Sequence, residues 1–561
     1  MRDFMLGLAI TASVLAQPAA ARQVKVEEVS IDQLQAIMAK GQATSADITR
    51  AYLARIAAMD RKGPTLRSVI ALNPDAVAQA RILDEERRRG RVRGPLHGIP
   101  ILIKDNIETA DRAPTTAGSL ALADNVTGRD APVVALLRRA GAVILGKTNL
   151  SEWANIRSTH SMSGWSAVGG LVRNPYALDR TACGSSSGSG AAVAASFAAI
   201  AVGTETDGSV VCPSSVNGLV GFKPSIGLVS RTHVVPISHS QDTPGPMGRS
   251  VRDVATMLSA MVGRDPADPA TAKAMARDYT TGLSTSALSG MRVGVIRPKS
   301  MSAPLRERYD QALDTLRAAG AILVDVTVPE LKGLGDAEQT VLMTELKADL
   351  DAYLATTPAA VKTRTLDQVI AFNREHAVEE MPFFAQELFE KAAKTKGLKD
   401  PAYLEARRTS LRLAGEDGID AMLKTARVQV LVAPTYDAAW LSDPIQGDQY
   451  DGPSASELPA VAGYPHLTVP MGLVRGMPVG LSFIANGDAD AVVLGAGYAY
   501  EQRARARRVP RYLPQADVGK GLDGRQEKGP GGNRGLSRSG RSAFRRCRAD
   551  RSGTGDRACT G

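Results

Sequence analysis

Aromatic side chains make up only 4% of this 561-residue chain, and cysteine occurs just four times, at Cys183, Cys212, Cys547 and Cys559. So few cysteines exclude a disulfide-built scaffold, and with no CxxC or Cys/His spacing a structural zinc site is not expected. No stretch supplies the roughly 20 predominantly apolar residues that a membrane-spanning helix needs. What the chain does have is 44% hydrophobic and 22% charged residues, enough to bury a large core and too apolar for disorder over most of its length.

The net charge of +10 suggests nucleic acid until it is located. Residues 521–561 hold ten Lys or Arg against four acids, so most of the excess sits in the tail and the rest of the chain has an ordinary balance. No nucleic-acid partner is expected. The tail itself is Gly, Arg and Ser with almost nothing apolar, and 516–561 is read as disordered.

At the other end, Arg2, the apolar run Phe4–Ala16 and the small residues Ala19-Ala20-Ala21 read as a secretory signal peptide over 1–21, cleaved after Ala21. A secreted or periplasmic enzyme is expected, with no membrane association after cleavage. Between 22 and 515 no linker or long charge run interrupts the chain, which is read as one large domain. Helical periodicity at 31–39, 45–59, 75–89, 130–140, 251–262 and 304–319 alternates with β-branched runs at Ile101–Ile103, Ala142–Leu145, Met291–Ile296 and Ile322–Val328. That alternation predicts an α/β fold, helices covering a central sheet, with a charged helical excursion over about 330–427.

Gly141–Thr148 (GAVILGKT) formally matches a phosphate-binding loop. Its middle, Ala142–Leu145, is itself a strand, leaving no loop to wrap phosphates, so ATP or GTP binding is not expected. The informative region is 179–225, where two Gly/Ser-rich loops, Gly184–Gly190 and Gly203–Ser209, are joined by a predicted small-residue helix (Ala191–Ala199) and a short strand (Ile200–Val202). Loops of this kind present free backbone N–H groups to an anion or a developing oxyanion.

A hydrolase built on these serines needs a base. None of the six histidines lies in a G-x-S-x-G elbow. Lys104 is the alternative: it ends the apolar run Ile101-Leu102-Ile103, where burial would lower its pKa and leave it neutral near pH 7.

Together HGIPILIKDNI, GKTNLSEW, CGSSSGSGAA, GTETDGSVVCP and NGLVGFKP resemble the amidase signature family, over about 27–511. The resemblance implies one α/β/α domain around a mixed twisted sheet and a Ser–cis-Ser–Lys triad. Carried onto this chain, Ser209 is the nucleophile, Ser185 relays its proton, Lys104 is the base, and the turn Thr206-Asp207-Gly208 forms the oxyanion hole. It implies no metal or organic cofactor. Many family members read GTDTGGSIRxP, whereas this chain has Asp207 in place of the first glycine of the pair and Val211 in place of the arginine, which disfavours a small dicarboxylic half-amide as substrate.

With the leader, these departures resemble the secreted peptide amidase branch, so a peptide amide or another small-molecule amide is the expected substrate. The other readings are an aryl or aliphatic amide or ester hydrolase, the A-type subunit of a tRNA-dependent amidotransferase, and a catalytically silent peptide-binding protein. By the same placement Cys183 and Cys212 lie near one site, either paired or as buried thiols. Free thiols are the favoured reading, because sequence cannot show the Cα approach of about 7 Å that pairing needs.

Overall fold

The β-branched runs all become strands of one mixed sheet. In the computed structural model of the protein, residues 24–516 are described. The leader over 1–21 and the tail beyond 516 fall outside them. Eleven strands follow in chain order: β1 (Val69–Leu72), β2 (Pro100–Lys104), β3 (Val143–Thr148), β4 (Ile200–Glu205), β5 (Val220–Lys223), β6 (Thr243–Gly248), β7 (Arg292–Ile296), β8 (Ile322–Val326), β9 (Val430–Pro434), β10 (His466–Val474) and β11 (Met477–Ile484). Across the sheet they run β1-β3-β2-β4-β6-β5-β10-β11-β9-β7-β8. β2 lies parallel to both β3 and β4, whereas β6 is antiparallel to β4 and β5.

Strands covered on both faces need apolar side chains at successive positions, which is why these segments read as continuous runs. Ile101, Leu102, Ile103, Val143, Ile144, Leu145, Ile200, Ala201 and Val202 are all fully buried. Helices flank the sheet. The first two, Ile31–Ala39 and Ser45–Met59, start at Ser30 and Thr44, whose hydroxyls accept from the N–H of Gln33 and Asp47 in capping boxes.

The GKT of the phosphate-loop pattern lies within β3, as its apolar middle implies. Lys147 turns inward, donating to the carbonyl of Ile107 at 2.7 Å and to Thr115 Oγ1 at 2.9 Å, so its amine is engaged inside the fold. Between β8 and β9 the chain leaves the sheet through helices that include Leu334–Leu354, Leu366–Glu375 and Pro401–Ala414. Leu346, Leu350, Val369 and Phe389 of this excursion share an apolar cluster with Leu122 and Trp153.

One boundary differs from the sequence reading. The small-residue helix spans Ser187–Ala194 instead of Ala191–Ala199, and β4 runs on to Glu205. Serine and glycine have modest helix propensity, but here close packing decides. A Cβ on Gly188 would stand 2.4 Å from the carbonyl oxygens of Ser68 and Asn149, so the first turn fits only without one.

Candidate active site

Lys104 is the last residue of β2 and is fully buried. Its Nζ donates to Ser185 Oγ at 2.7 Å, Thr204 Oγ1 at 2.8 Å and the Thr204 carbonyl at 3.3 Å. Burial pulls the ammonium down to about 7, while the carboxylates of Asp242 and Glu205 pull it upward.

Ser185 follows a cis peptide bond from Gly184 and is fully buried. The loop around it is fastened on both sides. The Ser185 carbonyl accepts from the N–H of Ser151 at 3.0 Å, and Ser186 Oγ donates to the Thr204 carbonyl at 3.1 Å. The N–H of Ser186 donates to the Ser209 carbonyl at 3.1 Å, which ties the two serine turns together. Among the described residues no hydrogen bond joins the hydroxyls of Ser185 and Ser209.

Ser209 closes the turn Thr206–Ser209 that follows β4, and it is 7% exposed. Thr206 Oγ1 donates to Asp242 Oδ1 at 2.6 Å. Asp207 is exposed. Gly208 has φ +75°, and a Cβ there would lie 2.6 Å from the Tyr436 hydroxyl. The N–H groups of Asp207 and Gly208 have no backbone or side-chain acceptor among the described residues, leaving them free to meet an oxyanion.

Glu205, just before the turn, is buried, and its Oε2 accepts from the N–H of Val210 at 2.7 Å and of Val211 at 2.9 Å. These are the two residues after Ser209, so one carboxylate holds the downstream side of the turn. Burial raises the Glu205 carboxyl, and buried Lys223 opposes that rise.

Cys183 and Cys212 form a disulfide with Cα atoms 6.0 Å apart, which corrects the free-thiol reading. The Ser186–Ser209 bond brings the loop before the first serine against the short helix Val211–Val216, and both cysteines are buried in that contact.

Sequence reasoning missed Thr204, Lys223 and Asp242 as parts of the site, and named Glu205 only within a motif. Lys223 ends the GFK of NGLVGFKP, so its approach to Glu205 had a signal in that motif. Asp242 lies 33 residues beyond Ser209 in a segment with no local pattern, and only the antiparallel pairing of β4 with β6 brings it to Thr206. The histidines stay outside this network. His97 Nε2 bonds the Leu83 carbonyl at 2.9 Å, and His466 Nε2 bonds Ser482 Oγ at 2.7 Å.

A buried lysine bonded to a serine, with that serine's loop tied to a second serine turn carrying free N–H groups, is an arrangement suited to hydrolysis through a serine. The chain belongs to the amidase family, whose model matches residues 47–494. It is similar to the peptide amidase from Stenotrophomonas maltophilia, with 50% identity, 87% of this chain and 99% of that chain covered, and a TM-score of 0.83. A peptide amidase solved in complex with the competitive inhibitor chymostatin is 50% identical, over 86% of this chain and 99% of that one, with a TM-score of 0.84. The A-type subunit of the glutamyl-tRNA(Gln) amidotransferase of Chloroflexus aurantiacus is 34% identical over 497 residues, covering 85% of this chain and 97% of the relative.

Proposed function

We propose that this amidase removes the C-terminal amide of peptides as ammonia, through an acyl-enzyme on Ser209. The observation that carries the chemistry is the 2.7 Å bond from buried Lys104 to Ser185, because a lysine drawn down to about 7 can take a proton at neutral pH. The peptide preference is supported by the 50% identity to peptide amidases and by the arginine position of the signature being Val211.

In this mechanism Ser209 Oγ attacks the amide carbon as its proton passes to Ser185 Oγ, and the Ser185 proton passes to neutral Lys104 Nζ. The new oxyanion is met by the N–H groups of Asp207 and Gly208, a contribution of about 3–4 kcal/mol per donor. Lys104 returns a proton through Ser185 to the leaving nitrogen, the C–N bond breaks and ammonia departs. Water then attacks the acyl-enzyme along the same relay. It gives its proton toward Lys104, and the ester bond to Ser209 breaks to yield the carboxylic acid and the free serine.

The decisive experiment measures ammonia release from C-terminally amidated peptides and from simple aliphatic and aryl amides, in wild type, Ser209→Ala and Lys104→Ala. Release from peptide amides that is lost in both variants is the expected result. Turnover of aryl or aliphatic amides alone would move the substrate assignment, and binding without any turnover would favour a peptide-binding protein.

Export is proposed on two grounds: the leader pattern over 1–21, and a disulfide of the kind that persists in oxidising compartments. Finding the mature chain in the periplasm or medium, beginning at Arg22, is the expected outcome. Recovery of uncleaved chain from the cytosol would overturn it.

A further inference from the structure

Asp242 is placed between two parts of the site that the reaction mechanism uses separately. It stands just before β6 and is 8% exposed. Its Oδ1 accepts from Thr206 Oγ1 at 2.6 Å, and its Oδ2 accepts from the N–H of Ile237 at 2.8 Å and of Ser238 at 3.0 Å. Two backbone donors therefore fix the carboxylate, and the carboxylate fixes Thr206.

Asp242 also lines a small cavity of about 10 Å³ together with Asn106, Thr204 and Thr206. Lys104 donates to Thr204, and Asn106 Nδ2 donates to the same Thr204 Oγ1 at 2.9 Å, so this cavity separates Asp242 from the hydrogen-bond shell of Lys104. It has room for one water at most. Lys104 and Asp242 are both buried, so a charge on one is felt strongly at the other.

We propose that Asp242 is a positioning residue for amide hydrolysis: it holds Thr206, and with it the turn that presents Ser209 and the oxyanion N–H groups, and its charge acts on Lys104 across the cavity. The inference rests on the amidase mechanism above. The charged groups around the pair come from several elements. Lys104 faces Asp242 and Glu205 of β4. Asp242 faces Arg231 from the loop before it and Asp349 from the helix Leu334–Leu354, with His239 bonded to Asp349 at 2.8 Å beyond. Burial raises the Asp242 carboxyl to about 6, so it is ionised where the enzyme is expected to work.

The sign of the effect follows. An ionised Asp242 favours the protonated form of Lys104, and Asp242→Asn removes that charge, its one amide oxygen serving either Thr206 or the N–H groups of Ile237 and Ser238. Lys104 should then lose its proton at lower pH.

Two readouts test this in wild type, Asp242→Asn, Thr206→Val and Thr206→Ser: kcat/KM against pH for a peptide amide, and the rate of Ser209 modification by a fluorophosphonate against pH. Asp242→Asn should move the acid limb of both profiles down by about one pH unit. Thr206→Val should lower kcat by about tenfold or more with the limb in place, and Thr206→Ser should restore it. An unmoved limb in Asp242→Asn overturns the action on Lys104, and full activity in Thr206→Val overturns the positioning role. If Asp242→Asn does not fold, Asp242→Ser, which also removes the charge, takes its place for the pH limb, and Thr206→Val still judges the positioning. If wild type modifies at Ser209 yet hydrolyses no amide, the amidase mechanism fails while the modification profiles still judge Asp242.

Discussion

Lys104 Nζ lies 2.7 Å from Ser185 Oγ, with both side chains fully buried. A charged ammonium in that position has lost its hydration and recovers it only in part, from Thr204 and from the nearby carboxylates of Asp242 and Glu205. The neutral amine is therefore accessible near pH 7, and it is the neutral amine that can accept a proton from a serine hydroxyl.

Activity should accordingly rise with pH through a midpoint of about 7, far below that of an exposed lysine. The protonated form dominates below the midpoint and is inactive, and the neutral form dominates above it. Lys104→Met should lose roughly 10²–10⁴-fold in kcat/KM. A flat kcat/KM profile across the neutral range, or substantial activity in Lys104→Met, would rule out lysine as the base.

Glu205 holds the N–H groups of Val210 and Val211 with one oxygen, and buried Lys223 provides the nearby positive charge. Glu205→Ala removes the acceptor for both amides and leaves a buried cation with less compensation, which should destabilise the fold by about 3–5 kcal/mol. Glu205→Gln retains one acceptor oxygen and should cost less. Thermal unfolding of the two variants checks the order, and equal Tm values would show that the acceptor oxygen glutamine retains is not what matters.

The strands read from the sequence were legible because a strand covered on both faces requires an unbroken apolar run, and Ile101–Ile103 leading into Lys104 is such a run, whereas β6, with two prolines and two glycines, is not. The two serine turns and the lysine were legible for a related reason: each sits at or beside a strand end within a short, ordered motif. Asp242 was not. Its link to Thr206 spans 36 residues and depends on strand pairing, which leaves no mark in local sequence. The disulfide was missed on the same account, since Cys183 and Cys212 meet only because two loops close on each other. The start of the small-residue helix was misplaced because its glycines answer to neighbouring carbonyls, not to intrinsic helix propensity.

The Cys183–Cys212 bridge closes a loop with a sequence separation of 29 that contains both serine turns. By the chain-entropy account it should contribute about 3–4 kcal/mol to stability. Cys183→Ser with Cys212→Ser should lower Tm and reduce kcat, because the loops that carry Ser185 and Ser209 lose a covalent tie. Non-reducing peptide mapping should find the two cysteines linked in the native protein. Unlinked cysteines in protein purified without reductant would contradict the pairing.

Gly208 couples the nucleophile turn to the loop beyond β9. Its φ of +75° is one that residues with a Cβ adopt at a cost, and a Cβ there would stand 2.6 Å from the Tyr436 hydroxyl and 3.0 Å from Ser456 Oγ. Gly208→Ala therefore strains the backbone and pushes the turn away from Tyr436, displacing one of the N–H groups proposed to meet the oxyanion. The expected result is a fall in kcat of about 10²-fold or more with a smaller change in KM, since a misplaced donor costs most in the transition state. Adding Tyr436→Phe removes the closest clashing atom and should recover part of the loss. Recovery to the full wild-type rate would mean that the clash alone was responsible, whereas no recovery at all would place the whole effect in the left-handed backbone conformation.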